Sequence, residues 1–211
     1  MRQQQQTLVN TMLGARAEGG ALKIDAPFLT FTEVLECTRD IVKFFSGDPG
    51  AIPANTIQTW MKSRISVQAE RPTRNRLYSG MDLIRIASVY YLAHVTKADI
   101  GLAIHMVDFG MAELARDSRR FVPDVNPLRE FHPGGYIIAK PALTPGEWMI
   151  ACADDAASLH KHLMVAGCST VFNFALVVGL ASTILGDKWQ AKAAWLMGVV
   201  EREIAKKKGN R

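Results

Sequence analysis

The residues best placed to do chemistry lie between positions 54 and 86. Lys62, Arg64, Arg71, Arg74, Arg76 and Arg85 stand there against Glu70 and Asp82, six basic residues to two acidic, a net +4 in that stretch. The whole 211-residue chain carries +5, so most of its excess charge is concentrated there. Positive charge of that density suits phosphate. A short helix starting at Asn55 or Thr56 and running to Arg64 would place Ile57, Trp60 and Met61 on one face at i, i+3 and i+4, with Gln58, Thr59, Lys62 and Ser63 turned outward. Amide, hydroxyl and ammonium groups on one exposed helical face can reach base edges in a major groove. The segment Gln68–Tyr78 has β-compatible ends around a polar, proline-containing tip with Arg71, Arg74 and Arg76, which predicts a hairpin able to lie along phosphates.

Other reactive side chains point to blander roles. His160 and His162 lie near Cys168, but their spacing fits no ligand motif and predicts a surface helix rather than a metal site or Cys–His pair. Asp154 and Asp155 read as helix-start residues rather than an acid/base pair. The chain contains no phosphate-binding glycine loop, no His-Glu-x-x-His and no nucleophile elbow, so a catalytic role, a metal and a cofactor are not expected. The three cysteines, Cys37, Cys152 and Cys168, are odd in number and widely spread. They predict reduced, mostly buried thiols and a cytoplasmic location.

The elements that must position the basic region are announced by their starts. Thr30-Phe-Thr-Glu33, Ser79-Gly-Met-Asp82 and Thr96-Lys-Ala-Asp99 each set a hydroxyl three residues before an acid, the pattern of a capping box. The first helix carries Phe31, Val34, Leu35, Ile41, Val42 and Phe45 and stops at the breaker cluster Ser46-Gly-Asp-Pro-Gly50. Two further helices are expected at Met81–His94 and Lys97–Phe109, the second continuing towards Arg120. From Phe121 the prolines at 123, 127 and 133 and the glycines at 134 and 135 predict a linker. Beyond it, Tyr136–Ala139 and Trp148–Ala151 read as short strands, although Thr144-Pro-Gly-Glu147 could instead cap a long helix. Asp154–Ala166 reads as helix, Thr170–Val178 as extended and Asp187–Lys207 as helix. The first 29 residues read as a polar, mobile tail and lack the apolar core of a secretory signal.

One run raises a membrane question. No Asp, Glu, Lys or Arg occurs between Lys161 and Asp187, and residues 163–185 are long enough to span a bilayer. Gly167, Ser169, Thr170, Asn173, Gly179, Ser182 and Thr183 interrupt it, which favours a helix end, a buried strand and a turn over a span.

A short helix after an earlier helix, then a basic hairpin, then two more helices is the order of a winged helix-turn-helix. Over residues 30–110 the chain resembles the MerR family of transcriptional regulators. The matching pieces are Phe31-Thr-Glu-Val34, the helix from Thr56 to Arg64-Ile65, and Arg76-Leu-Tyr-Ser-Gly-Met-Asp-Leu-Ile-Arg85, which is similar to the family's Arg-x-Tyr-(Ser/Thr)-x-x-Asp-(Leu/Val) pattern. The resemblance implies that Arg76 and Tyr78 contact phosphates, that Asp82 caps the third helix, and that Trp60 packs or approaches the backbone. The chain departs from the family in three ways. Ser46–Pro53 replaces a tight turn, Gln58 stands where an arginine is usual, and the dimerising helix is limited to roughly Lys97–Arg120.

The expected architecture is therefore mainly α with some β. A winged helix-turn-helix over 30–120 would be followed by a linker over 121–135 and a small C-terminal α/β (α+β) module over 136–211 for sensing or dimerisation. The candidate DNA-binding residues are Thr56, Gln58, Thr59, Lys62, Arg64, Arg71, Arg74, Arg76 and Tyr78. The expected function is sequence-specific regulation on double-stranded DNA by a homodimer. A small-molecule or protein effector would act at the C-terminal module, and no membrane partner is expected. Lys97–Arg120 and Asp187–Lys207 are the candidate dimer surfaces. Two alternatives stand beside this: a DNA-architectural or interaction protein of a mobile element without ligand sensing, and a membrane-anchored protein spanning at 163–185.

Overall fold

Local capping chemistry starts the N-terminal helices. The computed structural model describes residues 28–47, 49–63, 76–117, 135–142, 144, 147–166 and 170–188. Helix α1 (Phe31–Ser46) begins at Thr30, whose backbone N–H and hydroxyl both donate to Glu33 Oε2 (2.8 and 2.9 Å) while Glu33 N–H donates back to Thr30 Oγ1 (3.3 Å). Val34, Cys37, Thr38, Ile41 and Val42 form its buried stripe. The helix ends at Gly47, whose φ of 78° is open to glycine at little cost. Helix α2 (Ala54–Ser63) follows, starting one or two residues before the expected Asn55 or Thr56.

Helix α3 (Gly80–Tyr90) repeats the capping geometry at Ser79 and Asp82, here fully buried in the fold. The expected Met81–His94 helix occupies these residues but ends differently: Tyr91–Val95 forms a wider π turn. That turn redirects Thr96, whose hydroxyl donates to Leu92 O at 2.6 Å instead of capping the next helix. Asp99 itself is the cap, accepting from Gly101 N and Leu102 N (2.8 and 3.2 Å), so α4 (Ile100–Arg116) begins three residues later than the expected Lys97. Lys97 lies in the intervening bend at φ 59°, a strained value for a side-chain-bearing residue. Two of the three expected capping boxes therefore form.

The C-terminal half builds a sheet of order β2-β1-β3, antiparallel throughout, from β1 (Tyr136–Pro141), β2 (Trp148–Ala153) and β3 (Thr170–Asn173). Thr144 O accepts from Glu147 N in the bend between β1 and β2, so the Thr144–Glu147 segment closes a hairpin and does not cap a helix. Helix α5 (Ala156–Ala166) crosses back towards β3. Its start is marked by Asp155, which accepts from Ser158 N at 2.6 Å as expected of a helix-start residue.

The expected extended segment Thr170–Val178 is corrected: β3 ends at Asn173 and residues 174–188 form helix α6. β1 begins at Tyr136, the partner of Asn173, so the ladder has nothing further to pair with. Gly135 O instead accepts from Phe174 N and Ala175 N, and Asn173 Oδ1 accepts from Leu176 N, which turns the chain into a helix. Phe174, Val177, Val178, Ala181 and Leu185 then bury one helical face. Among the described residues no helix is long and apolar enough to cross a membrane. The uncharged run is divided between the end of α5, β3 and α6, which removes the 163–185 span. Residues 1–27 of the expected tail, the linker at 121–134 and most of Asp187–Lys207 lie outside the described residues. The tail's last two residues, Phe28 and Leu29, are corrected, since both are buried in the core and hydrogen-bonded to Tyr78.

The protein is thus mainly helical with a small antiparallel sheet. α1 and α4 both pack on α3, and α4 also packs on β1 and β2. The hydrophobic core is continuous across the two halves, from Leu29, Ile41, Ile57 and Leu83 through Met106 to Ile137, Phe172 and Phe174. Gly110 of α4 leaves room for α6: a Cβ there would lie 3.1 Å from the Phe174 ring. On the surface, Lys188 of α6 pairs with Glu36 of α1 at 3.0 Å.

Candidate nucleic-acid interface

Helix α2 carries one apolar face and one polar face. Ile57 is fully buried, Trp60 and Met61 pack partly buried against the core, and Gln58, Thr59 and Lys62 are exposed. Thr56, at the start of the segment, is half-buried. The Thr59 hydroxyl donates to Asn55 O at 2.8 Å, which fixes its rotamer along the helix. Lys62 lies in the last turn, where a cation also complements the negative end of the helix dipole.

The strand end before α3 supplies the second part. Leu29 and Tyr78 form an antiparallel bridge in which Tyr78 N donates to Leu29 O at 2.8 Å, and both Phe28 N and Leu29 N donate to Tyr78 O. The Tyr78 ring packs on Phe31 with centroids 6.0 Å apart. Burial pushes its phenol pKa up, while the charge of Arg76 and a hydrogen bond from it pull the other way. Arg76 itself is exposed. Tyr78 is thus buried, its hydroxyl beside the Arg76 guanidinium, so Arg76 is the member of this pair that faces solvent. Asp82 caps α3 as the resemblance implies, accepting from Ser79 N and Ser79 Oγ at 2.9 and 3.0 Å.

Six of the nine candidate residues are therefore placed: Gln58, Thr59, Lys62 and Arg76 exposed, Thr56 half-buried, Tyr78 buried. Arg64, Arg71 and Arg74, and with them the expected hairpin tip, lie outside the described residues. Arg85 does not extend the basic surface, because it pairs with Asp108 of α4 at 3.2 Å and ties α3 to α4.

An aromatic cluster behind α2 is the feature that sequence reasoning missed. His94 stacks on Tyr90 (centroids 4.5 Å, interplanar 23°) and lies 5.4 Å from Trp60, with Trp60 and Tyr90 themselves 6.4 Å apart. Burial, and then the charge of Lys97, lower the His94 pKa, so the imidazole is neutral near pH 7. Tyr90 and His94 are four residues apart on an expected helix, and that spacing was the available signal. The reach across to Trp60 left none.

In the C-terminal half, His160 is exposed and His162 half-buried on α5, while Cys168 lies outside the described residues. Asp154 Oδ1 accepts from Cys152 Sγ at 3.7 Å, and Asp155 serves the helix start. Among the described residues no three His, Cys, Asp or Glu side chains are grouped to hold a metal. No protein-family profile matches the chain, and no curated protein is significantly similar to it.

Proposed function

We propose that the chain is a sequence-specific regulator that binds double-stranded DNA through a MerR-like winged helix-turn-helix and works as a homodimer on a two-fold site. The observation that carries this reading is α2. It is a ten-residue helix held by Ile57, Trp60 and Met61, with Gln58, Thr59 and Lys62 together on the open face. Such a face offers a major groove one amide, one hydroxyl and one cation. Exposed Arg76, at the foot of the Leu29–Tyr78 bridge, adds a phosphate contact that is blind to sequence. The C-terminal half serves as the dimerisation or effector module, and its shared core with α3 and α4 gives an effector there a packed route to α2.

The test is a titration on duplexes selected from a random pool and on scrambled duplexes at several salt concentrations. Arg76→Ala weakens binding to both and lowers the salt slope by about one. Gln58→Ala costs about 1–3 kcal/mol on the selected duplex and leaves the scrambled one nearly unchanged. If neither substitution alters binding, or if no duplex binds, the reading is wrong.

A further inference from the structure

We propose that His94 is a positioning residue for α2, setting the roll of the DNA-reading helix by packing against Trp60 while stacked on Tyr90; this rests on the DNA-binding reading above. Helix α2 has few anchors. Ile57 is its one fully buried apolar side chain among those described, and a single anchor fixes the depth of a short helix better than its rotation about its own axis. The second constraint comes from residues displaced along and around the helix, the partly buried Trp60 and Met61, of which Trp60 reaches the ring cluster of Tyr90 and His94. Side chains reach about 5–6 Å from a helix axis, so a roll of about 20° moves their tips by about 2 Å. A displacement of that size breaks a hydrogen bond to a base edge while a phosphate contact made by a flexible lysine survives.

The partner of Trp60 is held unusually firmly. His94 sits in the π turn Tyr91–Val95, a rare geometry that recurs at functional sites. The same turn is followed by Lys97 at positive φ and is closed by Thr96 and Ala98 donating to carbonyls of Tyr91 and Leu92. Tyr90, 5% exposed, stacks on the imidazole at 4.5 Å and itself approaches Trp60 to 6.4 Å, so the three rings form one triangular cluster. The imidazole, held 5.4 Å from Trp60 on a turn closed by its own hydrogen bonds, opposes rotation of α2 towards it.

The experiment compares His94→Leu, which keeps bulk but has no ring to stack, with His94→Phe, which restores the ring, in full-length protein checked for folding by circular dichroism. Two readouts are taken. One is the ratio of affinities for the selected and scrambled duplexes. The other is the emission of Trp60 in a background with Trp148, Trp189 and Trp195 replaced by Phe. In His94→Leu the affinity ratio falls about three- to tenfold, in line with the worth of one aromatic pair, and Trp60 emission shifts; His94→Phe keeps both within about twofold of the parent. Equal ratios in the two variants overturn the proposal while leaving the DNA-binding reading intact. Parent protein that binds no duplex overturns that reading and this proposal with it.

Discussion

Asp82 and Glu33 make the same capping motif in different surroundings, and replacing each by alanine separates the motif from its burial. At the start of α3, Asp82 Oδ2 accepts from Ser79 N at 2.9 Å and Ser79 Oγ at 3.0 Å, with Ser79 only 5% and Asp82 4% exposed. At the start of α1 the corresponding distances to Glu33 Oε2 are 2.8 and 2.9 Å, but Thr30 is exposed. Removing Glu33 lets water take over the Thr30 N–H, so the loss is that of an exposed cap and dipole partner, about 0.5–1 kcal/mol. Removing Asp82 leaves the Ser79 N–H without its acceptor where water does not reach. That unsatisfied donor adds about 1–3 kcal/mol to the same cap term. Alanine's better helix propensity returns about 0.5 kcal/mol or less in both cases. The net expectation is about 1–4 kcal/mol for Asp82→Ala, centred near 2–3, against at most about 1 kcal/mol for Glu33→Ala. Urea unfolding followed by circular dichroism measures both as shifts in midpoint at constant slope. Equal losses within about 0.5 kcal/mol would refute the claim that burial sets the worth of a cap here.

Two further outcomes follow from the titrating groups. Burial, reinforced by Asp40, Glu33 and Glu36 and opposed by Lys188, pushes the Cys37 thiol up to about 11, so at pH 8 it should resist iodoacetamide in folded protein while half-buried Cys152 reacts before it. Peptide mass spectrometry reads the order, and early alkylation of Cys37 in native protein would contradict it. Because the His94 pKa is lowered in the folded state, the unfolded chain binds the proton more readily. The stability due to the neutral ring is full above the ordinary histidine pKa and is lost as pH falls through the lowered folded value. In protein retaining Trp60 as its sole tryptophan, the emission should therefore titrate below about pH 6.5, and His94→Phe should flatten that titration. A persistent titration in His94→Phe would assign it to another group.

What the sequence by itself determined is what depends on neighbours a few residues away. The boxes at Thr30 and Ser79 close within three residues, the stripe through Val34, Ile41 and Val42 follows from helical period, and Ile57, Trp60 and Met61 necessarily share a face of α2 opposite Gln58, Thr59 and Lys62. Most of the exposed part of the candidate interface was legible for that reason. Tertiary structure decided the rest. Thr96 had the right spacing to cap α4 and lost that role because the π turn put Leu92 O within its reach. Thr170–Val178 was apolar and β-branched enough for a long strand. Its partner β1 starts at Tyr136, so the ladder stops at Asn173 and the remainder became a helix packed under Gly110. Arg85 counted as surface charge in the sequence, yet Asp108, on the next helix, draws it into a pairing between α3 and α4. The packing of Trp60 against His94 joins residues from α2 and the π turn, and the union of both halves in one core joins residues farther apart still. Contacts of that range are set by which faces meet when the helices pack, and no local pattern records them.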